Sequence, residues 1–313
     1  MQFLQDRQNL AIAIGAVLAI LVLATGIYLL LKQLKPNKGL PEIGMRIRSW
    51  WIMVVVFSGV ITFSQNLSLV FISFLSFLAL KEYLAITPTR HADRKILFWA
   101  YLSIPIQFYW IWTGWYWMFI IFIPVYAFLF LPMRMVMIGE TRGFLKAAGT
   151  LNWGIMTTVF SLSHMAYLLV LPLSGNPAAG GVGLLFFLVV LTQLNDVAQF
   201  LFGKMFGRHK ITPTVSPNKT WGGVIGGIFS TTLVSWLAAP LLTPFTATQA
   251  IAVGIIIALA GFTGDVVISA IKRDLQIKDT GTLIPGHGGI LDRIDSLTYT
   301  APLFFHIVVY FHF

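Results

Sequence analysis

Ten apolar runs separated by short polar connections make up most of the chain: residues 9–31, 50–64, 68–86, 96–111, 114–132, 153–173, 181–202, 222–241, 250–271 and 293–311. A helix needs about 20 apolar residues to cross a hydrocarbon core of about 30 Å. All the runs but the second and fourth come near that length, so the pattern predicts an all-α, polytopic membrane protein of about ten transmembrane helices. The runs leave no stretch long enough for a separate soluble domain, so a site has to be built from helix ends and connections. Five runs fall in an N-terminal transmembrane region, 1–150, and five in a C-terminal region, 151–313, which holds most of the candidate chemistry.

Lys and Arg test this pattern independently of hydropathy. Counted along the nine connections, with Lys81 and Arg293 at the ends of their runs assigned to the connections they adjoin, they number 5, 0, 4, 0, 3, 0, 4, 0 and 4, and Arg7 is the remaining one of 21. Strict alternation is what the positive-inside rule gives for ten spans with both termini outside, with the charged connections in the cytoplasm. Asp6 and Arg7 precede the first run, and Lys32, Lys35 and Lys38 follow it. A cleaved signal peptide would carry its positive charge before a shorter apolar core, so this run is expected to be retained as a span.

Composition agrees: 57% of residues are hydrophobic, 10% are charged and mean hydropathy is +0.82, whereas soluble domains carry about 25% charged residues. The net charge of +10 sits in connections that flank the spans, which suits anionic lipid headgroups and gives no support to nucleic-acid binding. The chain has no cysteine, so any metal ligands must be oxygen or imidazole donors. Aromatic residues crowd 108–119 around Thr113-Gly114 and are expected to form an interfacial belt. Glycines paired at 222/226 and 223/227 predict close helix packing.

The stretch 269–296 holds eight of the chain's 32 formal charges in 28 residues. Asp274, Asp279, Asp292 and Asp295 alternate with Lys272, Arg273, Lys278 and Arg293 around a Pro285-Gly286-His287-Gly288-Gly289 turn. Carboxylates are hard oxygen ligands of the kind Mg²⁺ takes, and Lys and Arg pair with phosphate oxygens, so the combination suits a metal-complexed nucleotide or pyrophosphate. Asp196 and Asp265 lie inside apolar runs, where a lone charge costs about 2.5–3.5 kcal/mol. At about 1.5 Å of rise per residue, both sit roughly 10 Å from the cytoplasmic ends of their helices, a matching depth that allows one shared site. Asp265, Ser269 and Lys272 recur at i, i+4 and i+7 on one helical face, and Asp292 and Asp295 are three apart. For Asp196, a structural hydrogen bond to Asn195 or Gln199 is the competing reading.

The run Ser269-x-x-Lys272-Arg273-x4-Lys278-Asp279-x-Gly281-x3-Pro285-Gly286-His287-Gly288-Gly289-x-Leu291-Asp292-Arg293-x-Asp295-Ser296 resembles the signature of phosphatidate cytidylyltransferases (CDP-diacylglycerol synthases). Asn195-Asp196, Gly203-Lys204 and Ser216-Pro217-Asn218-Lys219-Thr220 match upstream, so the resemblance covers roughly the last 120 residues. It implies an integral membrane transferase that attaches the CMP of CTP to phosphatidic acid at the bilayer with release of pyrophosphate, using Mg²⁺, alone or with a second divalent or a monovalent cation. Metal ligands would be Asp265 and Asp292, with Asp196 and Asp295 as further donors. Lys272, Arg273 and His287 are the remaining catalytic candidates. Ser216, Lys219, Thr220, Lys278 and Arg293 are the substrate-binding candidates, with Thr220 expected to cap the following helix. A second copy of the chain is carried as a candidate partner. Two positions depart from the family: Gly222 and Ile268 stand where it usually has Glu, which points to a divergent branch. A cation-coupled transporter and a catalytically impaired scaffold homologue are the alternative readings.

Overall fold

All ten apolar runs lie on helices in the structure, a computed structural model that describes residues 2–34, 40–176, 178–281, 283 and 288–313. The N-terminal region contains α1 (Gln2–Leu34), α2 (Leu40–Phe63), α3 (Gln65–Ile86) and α4 (Arg94–Trp112). It continues through α5 (Tyr116–Ile121) and α6 (Phe128–Val136), joined by the widened π-helical turn Phe122–Ala127. A second π-helical turn, Met156–Phe160, joins α7 (Phe144–Ile155) to α8 (Ser161–Leu168). Then come α9 (Gly180–Phe206), a hairpin of β1 (Lys210–Thr212) and β2 (Ser216–Thr220), α10 (Trp221–Leu242) and α11 (Ala247–Asp274). The short α12 (Leu291–Ile294) leads into α13 (Leu297–His312).

Among the described residues, eight stretches are long and apolar enough to cross a membrane: Gln8–Leu34, Ile43–Phe63, Gln65–Ile86, Tyr116–Val136, Gly180–Phe206, Trp221–Leu242, Ala247–Asp274 and Leu291–His312. The fourth apolar run lies on α4 and the sixth on the composite helix 144–168. The protein is therefore an all-α, multi-pass membrane protein, apart from its one small hairpin.

The helices are not equally buried. Of the apolar stretch of α1 only 11% is buried against the rest of the chain, compared with 61% for α9 and 56% for 291–312. The later helices form the centre, and α1 offers its apolar surface outward. Small residues let them approach closely: a side chain at Gly223 would meet the Gln199 carbonyl at 2.6 Å, and one at Gly227 would meet Asn195 Oδ1 at 2.8 Å. Polar side chains then bind helix to helix. Asn195 Nδ2 donates to the Ala258 carbonyl (3.2 Å), and the Thr192 hydroxyl donates to Thr300 Oγ1 (3.0 Å). In an apolar surrounding, small residues and interhelical hydrogen bonds supply the packing that a hydrophobic driving force cannot.

The connections sort to two ends. At one end, Arg90, ion-paired with Asp93 at 2.7 Å, donates to the carbonyls of Glu140 (2.8 Å) and Arg142 (2.9 Å). At the other end the Tyr167 hydroxyl reaches the Gly114 carbonyl (3.0 Å), and Asn176 Nδ2 reaches that of Leu242 (2.9 Å). The start of α1 and the last residue also meet this second end: Asn9 Nδ2 donates to the Ala178 carbonyl at 3.0 Å, and Gly175 faces the ring of Phe313. Among the described residues, the charged connections around 90 and 140 thus meet at one end and the neutral ones around 114, 176 and 242 at the other.

Candidate functional site

The site lies at the charged end, where α9, the hairpin, α10, α11 and α12 meet. Helix α11 sets its first line of groups. Ser269 Oγ donates to Asp265 Oδ1 at 3.2 Å, so the predicted shared face exists. A side chain at Gly264 would lie 2.6 Å from the Asp295 carbonyl and 3.1 Å from Ser296 Cα. The absence of one at Gly264 lets α11 press against the α12–α13 junction and brings Asp265 toward Asp295.

The hairpin folds back over α9 and supplies Lys219. Its ammonium is 2.6 Å from Asp265 Oδ2 and donates to Gln199 Oε1 at 2.8 Å. Burial draws the Lys219 pKa down, but the negative charges of Asp265 and Asp196 outweigh burial and hold it above the ordinary lysine value. Thr220, the last residue of β2, caps α10 as expected, its Oγ1 accepting the Gly223 N–H at 3.2 Å. Ser216 begins the strand and pairs in register with Thr212.

Asp196 accepts a hydrogen bond from Ser296 Oγ at 3.0 Å. Neither of the neighbours read from the sequence fills that role. Asn195 is turned to Ala258 and Thr231, and Gln199 is taken by Lys219.

The second line of groups runs from Lys272 to Asp292. Lys272 Nζ is 2.8 Å from Asp292 Oδ1, and both side chains are largely buried, at 11% and 4% exposure. Asp292 Oδ2 accepts the Thr280 N–H (2.8 Å), the Thr280 hydroxyl (3.0 Å) and the Gly289 N–H (3.0 Å). Gly288 takes φ +81°, which favours glycine, and a side chain there would strike Asp292 Oδ2 at 2.7 Å. Asp295 is buried, with Oδ1 accepting the Ser296 N–H at 2.7 Å.

The structure therefore brings together Asp196, Asp265, Asp292, Asp295, Lys219 and Lys272. Arg273 is exposed and ties the hairpin to its own loop through the carbonyls of Val215 and Ile277, both at 3.2 Å. Lys278 is exposed as well. Arg293 gives its carbonyl to Gln193 Nε2 (3.3 Å), while its buried Nε has no hydrogen-bond partner. His287, with Pro285 and Gly286, lies outside the described residues. Among the described residues, no three Asp, Glu or His side chains meet closely enough to hold one metal ion. The donors are nevertheless all carboxylate oxygens, and four of them share the neighbourhood of two lysines, which matches the chemistry of a hard cation.

One acid was overlooked in the sequence. Glu82, near the end of α3, accepts the N–H groups of Ile290 (2.9 Å) and Leu291 (2.8 Å). The signal was present, because Glu82 interrupts the apolar run 68–86, the same anomaly that singles out Asp196 and Asp265. The two departures from the family pattern also acquire a physical setting. A side chain at Gly222 would meet the Phe206 carbonyl at 2.7 Å, and Ile268 is 1% exposed within the core. At Gly222 any side chain would press on the Phe206 backbone, and at Ile268 a glutamate would bury its charge in the core.

A bundle of apolar helices with carboxylates and lysines paired across one end defines a multi-pass membrane protein with a charged site at its surface. The chain belongs to the cytidylyltransferase family, whose model matches residues 44–311. It is 44% identical over 298 residues to YnbB, an uncharacterized protein of Escherichia coli (strain K12), covering 95% of this chain and 98% of that one. It is 37% identical over 155 residues to phosphatidate cytidylyltransferase of Staphylococcus aureus (strain COL), 49% of this chain and 59% of that one. The phosphatidate cytidylyltransferase of Rickettsia bellii (strain RML369-C) is 36% identical over 179 residues, 52% of this chain and 77% of its own.

Proposed function

We propose that the protein transfers CMP from CTP to the phosphate of phosphatidic acid, giving CDP-diacylglycerol and pyrophosphate at the cytoplasmic face of the cell's inner membrane. The observation that carries this reading is the paired set Lys219–Asp265 (2.6 Å) and Lys272–Asp292 (2.8 Å), with Asp196 and Asp295 beside it, at one end of a membrane bundle. In such a set each lysine can leave its carboxylate for a phosphate oxygen, and each freed carboxylate can take a cation.

The lipid phosphate is the nucleophile, so no side chain needs to form a covalent intermediate. The residues have to bring two anions into line and offset their repulsion. Lys219, Lys272 and Arg273 would bind the triphosphate and the departing pyrophosphate, with Ser216, Thr220, Lys278, Arg293 and His287 as further contacts. Mg²⁺, alone or with a second cation, would be held by Asp265 and Asp292 with Asp196 and Asp295 as additional donors, and would supply charge neutralisation across the phosphates.

The acceptor's hydrocarbon has a place in this reading. An apolar cavity of about 900 Å³ is lined by Phe128, Leu145, Trp153, Met156, Tyr299 and Leu303. Tyr299 lies one turn beyond Asp295 along α13, so acyl chains could rest between α6, α7 and α13 while the phosphate meets the charged end.

The test is incorporation of labelled CTP into chloroform-extractable lipid by the purified protein, with added phosphatidate and Mg²⁺. Label in a CDP-lipid that depends on phosphatidate is the expected result. Absence of labelled lipid under all divalent cations would refute the reading.

A further inference from the structure

Glu82 is the longest-range member of the constellation, reaching from the N-terminal region to a loop some 200 positions later. An acid near the end of an apolar helix carries a cost, and its partners show what offsets it. Its Oε1 accepts the Ile290 N–H at 2.9 Å and its Oε2 the Leu291 N–H at 2.8 Å. These are donors at the start of α12, which the helix cannot satisfy internally. The Thr280 hydroxyl lies between two carboxylates, 3.3 Å from Glu82 Oε2 and 3.0 Å from Asp292 Oδ2. Two glycines of the loop lie against this carboxylate. A side chain at Gly281 would sit 3.0 Å from Glu82 Oε1, and one at Gly289 would collide with Oε2.

Three consecutive N–H groups, at residues 289, 290 and 291, therefore point at just two carboxylates, those of Asp292 and Glu82. We propose that Glu82 is a positioning residue. It ties Thr280, Ile290 and Leu291 to α3 and so holds Asp292, with Lys272 on its other oxygen, in the geometry the transfer requires. This rests on the cytidylyltransferase reading only for its kinetic consequence.

The test compares the full-length protein with Glu82→Gln and Glu82→Asp. Glutamine keeps the shape, but its amide nitrogen turns a donor toward one of the two N–H groups. Aspartate keeps the charge but is one methylene too short. Hydrogen exchange at Ile290 and Leu291 should accelerate at least tenfold in both variants, with exchange in α9 and α11 unchanged. With phosphatidate and CTP, kcat should fall at least tenfold while the CTP KM moves less than threefold. Gly281→Ala, which crowds the carboxylate from the loop side, should accelerate the same two amides. Unchanged exchange in Glu82→Gln or in Gly281→Ala overturns the proposal, as does accelerated exchange with undiminished kcat. A wild type that makes no CDP-lipid refutes the function above, and the exchange measurements then decide the role of Glu82 by themselves.

Discussion

The two ion pairs of the site have nearly the same length, yet they sit in different surroundings. Lys219–Asp265 (2.6 Å) joins a β-hairpin to a helix, and Asp265 is 22% exposed with Ser269 as its one further donor among the described residues. Lys272–Asp292 (2.8 Å) is more deeply enclosed, and the second oxygen of Asp292 already accepts from three groups, with Glu82 bracing the same loop. A charge with few partners and access to water can exchange them readily. A carboxylate oxygen already filled by donors of a loop holds that loop in place. The Lys219–Asp265 half should accordingly exchange its partners most readily, while in the Lys272–Asp292 half Oδ2 of Asp292 holds the loop and only Oδ1 and the Lys272 ammonium are left to turn to a ligand.

The sharpest way to break this comparison is Asp292→Asn. It removes the charge that pairs with buried Lys272 and turns an amide toward N–H donors, so turnover should fall at least a hundredfold. Because it leaves a buried cation unpaired, it should also destabilise the protein by about 3–5 kcal/mol, read as a lowered midpoint of thermal unfolding in detergent. Asp265→Asn should lose turnover by at least a hundredfold too. Lys219 keeps Gln199 and the field of Asp196, however, so unfolding should shift much less than in Asp292→Asn. Equal destabilisation by the two substitutions would erase the distinction between the halves.

A smaller effect sharpens it. If Lys219 leaves Asp265 to bind the triphosphate, Lys219→Ala should raise the CTP KM about tenfold and more than the phosphatidate KM, as loss of ground-state binding does. An effect confined to phosphatidate would assign the hairpin to the acceptor instead.

Much of the fold follows from local regularities. Apolar length and the alternation of Lys and Arg mark where helices run, and the structure has a helix at each of the ten apolar runs. The 3.6-residue period places Asp265 and Ser269 on one face, where they bond. The spacing of Thr220 before an apolar run marks a cap. The last two depend on residues within about two turns of one another, the range over which helix geometry alone is decisive, and the first on apolar runs of about 20 residues.

The pairing of the site was settled elsewhere. Lys219 is legible as a phosphate-type cation, but that it rests on Asp265 and Gln199 depends on how the hairpin folds over α9. Ser296 is the partner of Asp196 because α13 packs beside α9, although Asn195 and Gln199 are nearer in sequence. Glu82 stands out along the chain only as an acid in an apolar run. Its partners follow about 200 residues later and are mostly backbone N–H groups, which no residue pattern marks. Periodicity fixes the direction a side chain takes from its own helix, while the group it meets is decided by the helix and loop packed across from it.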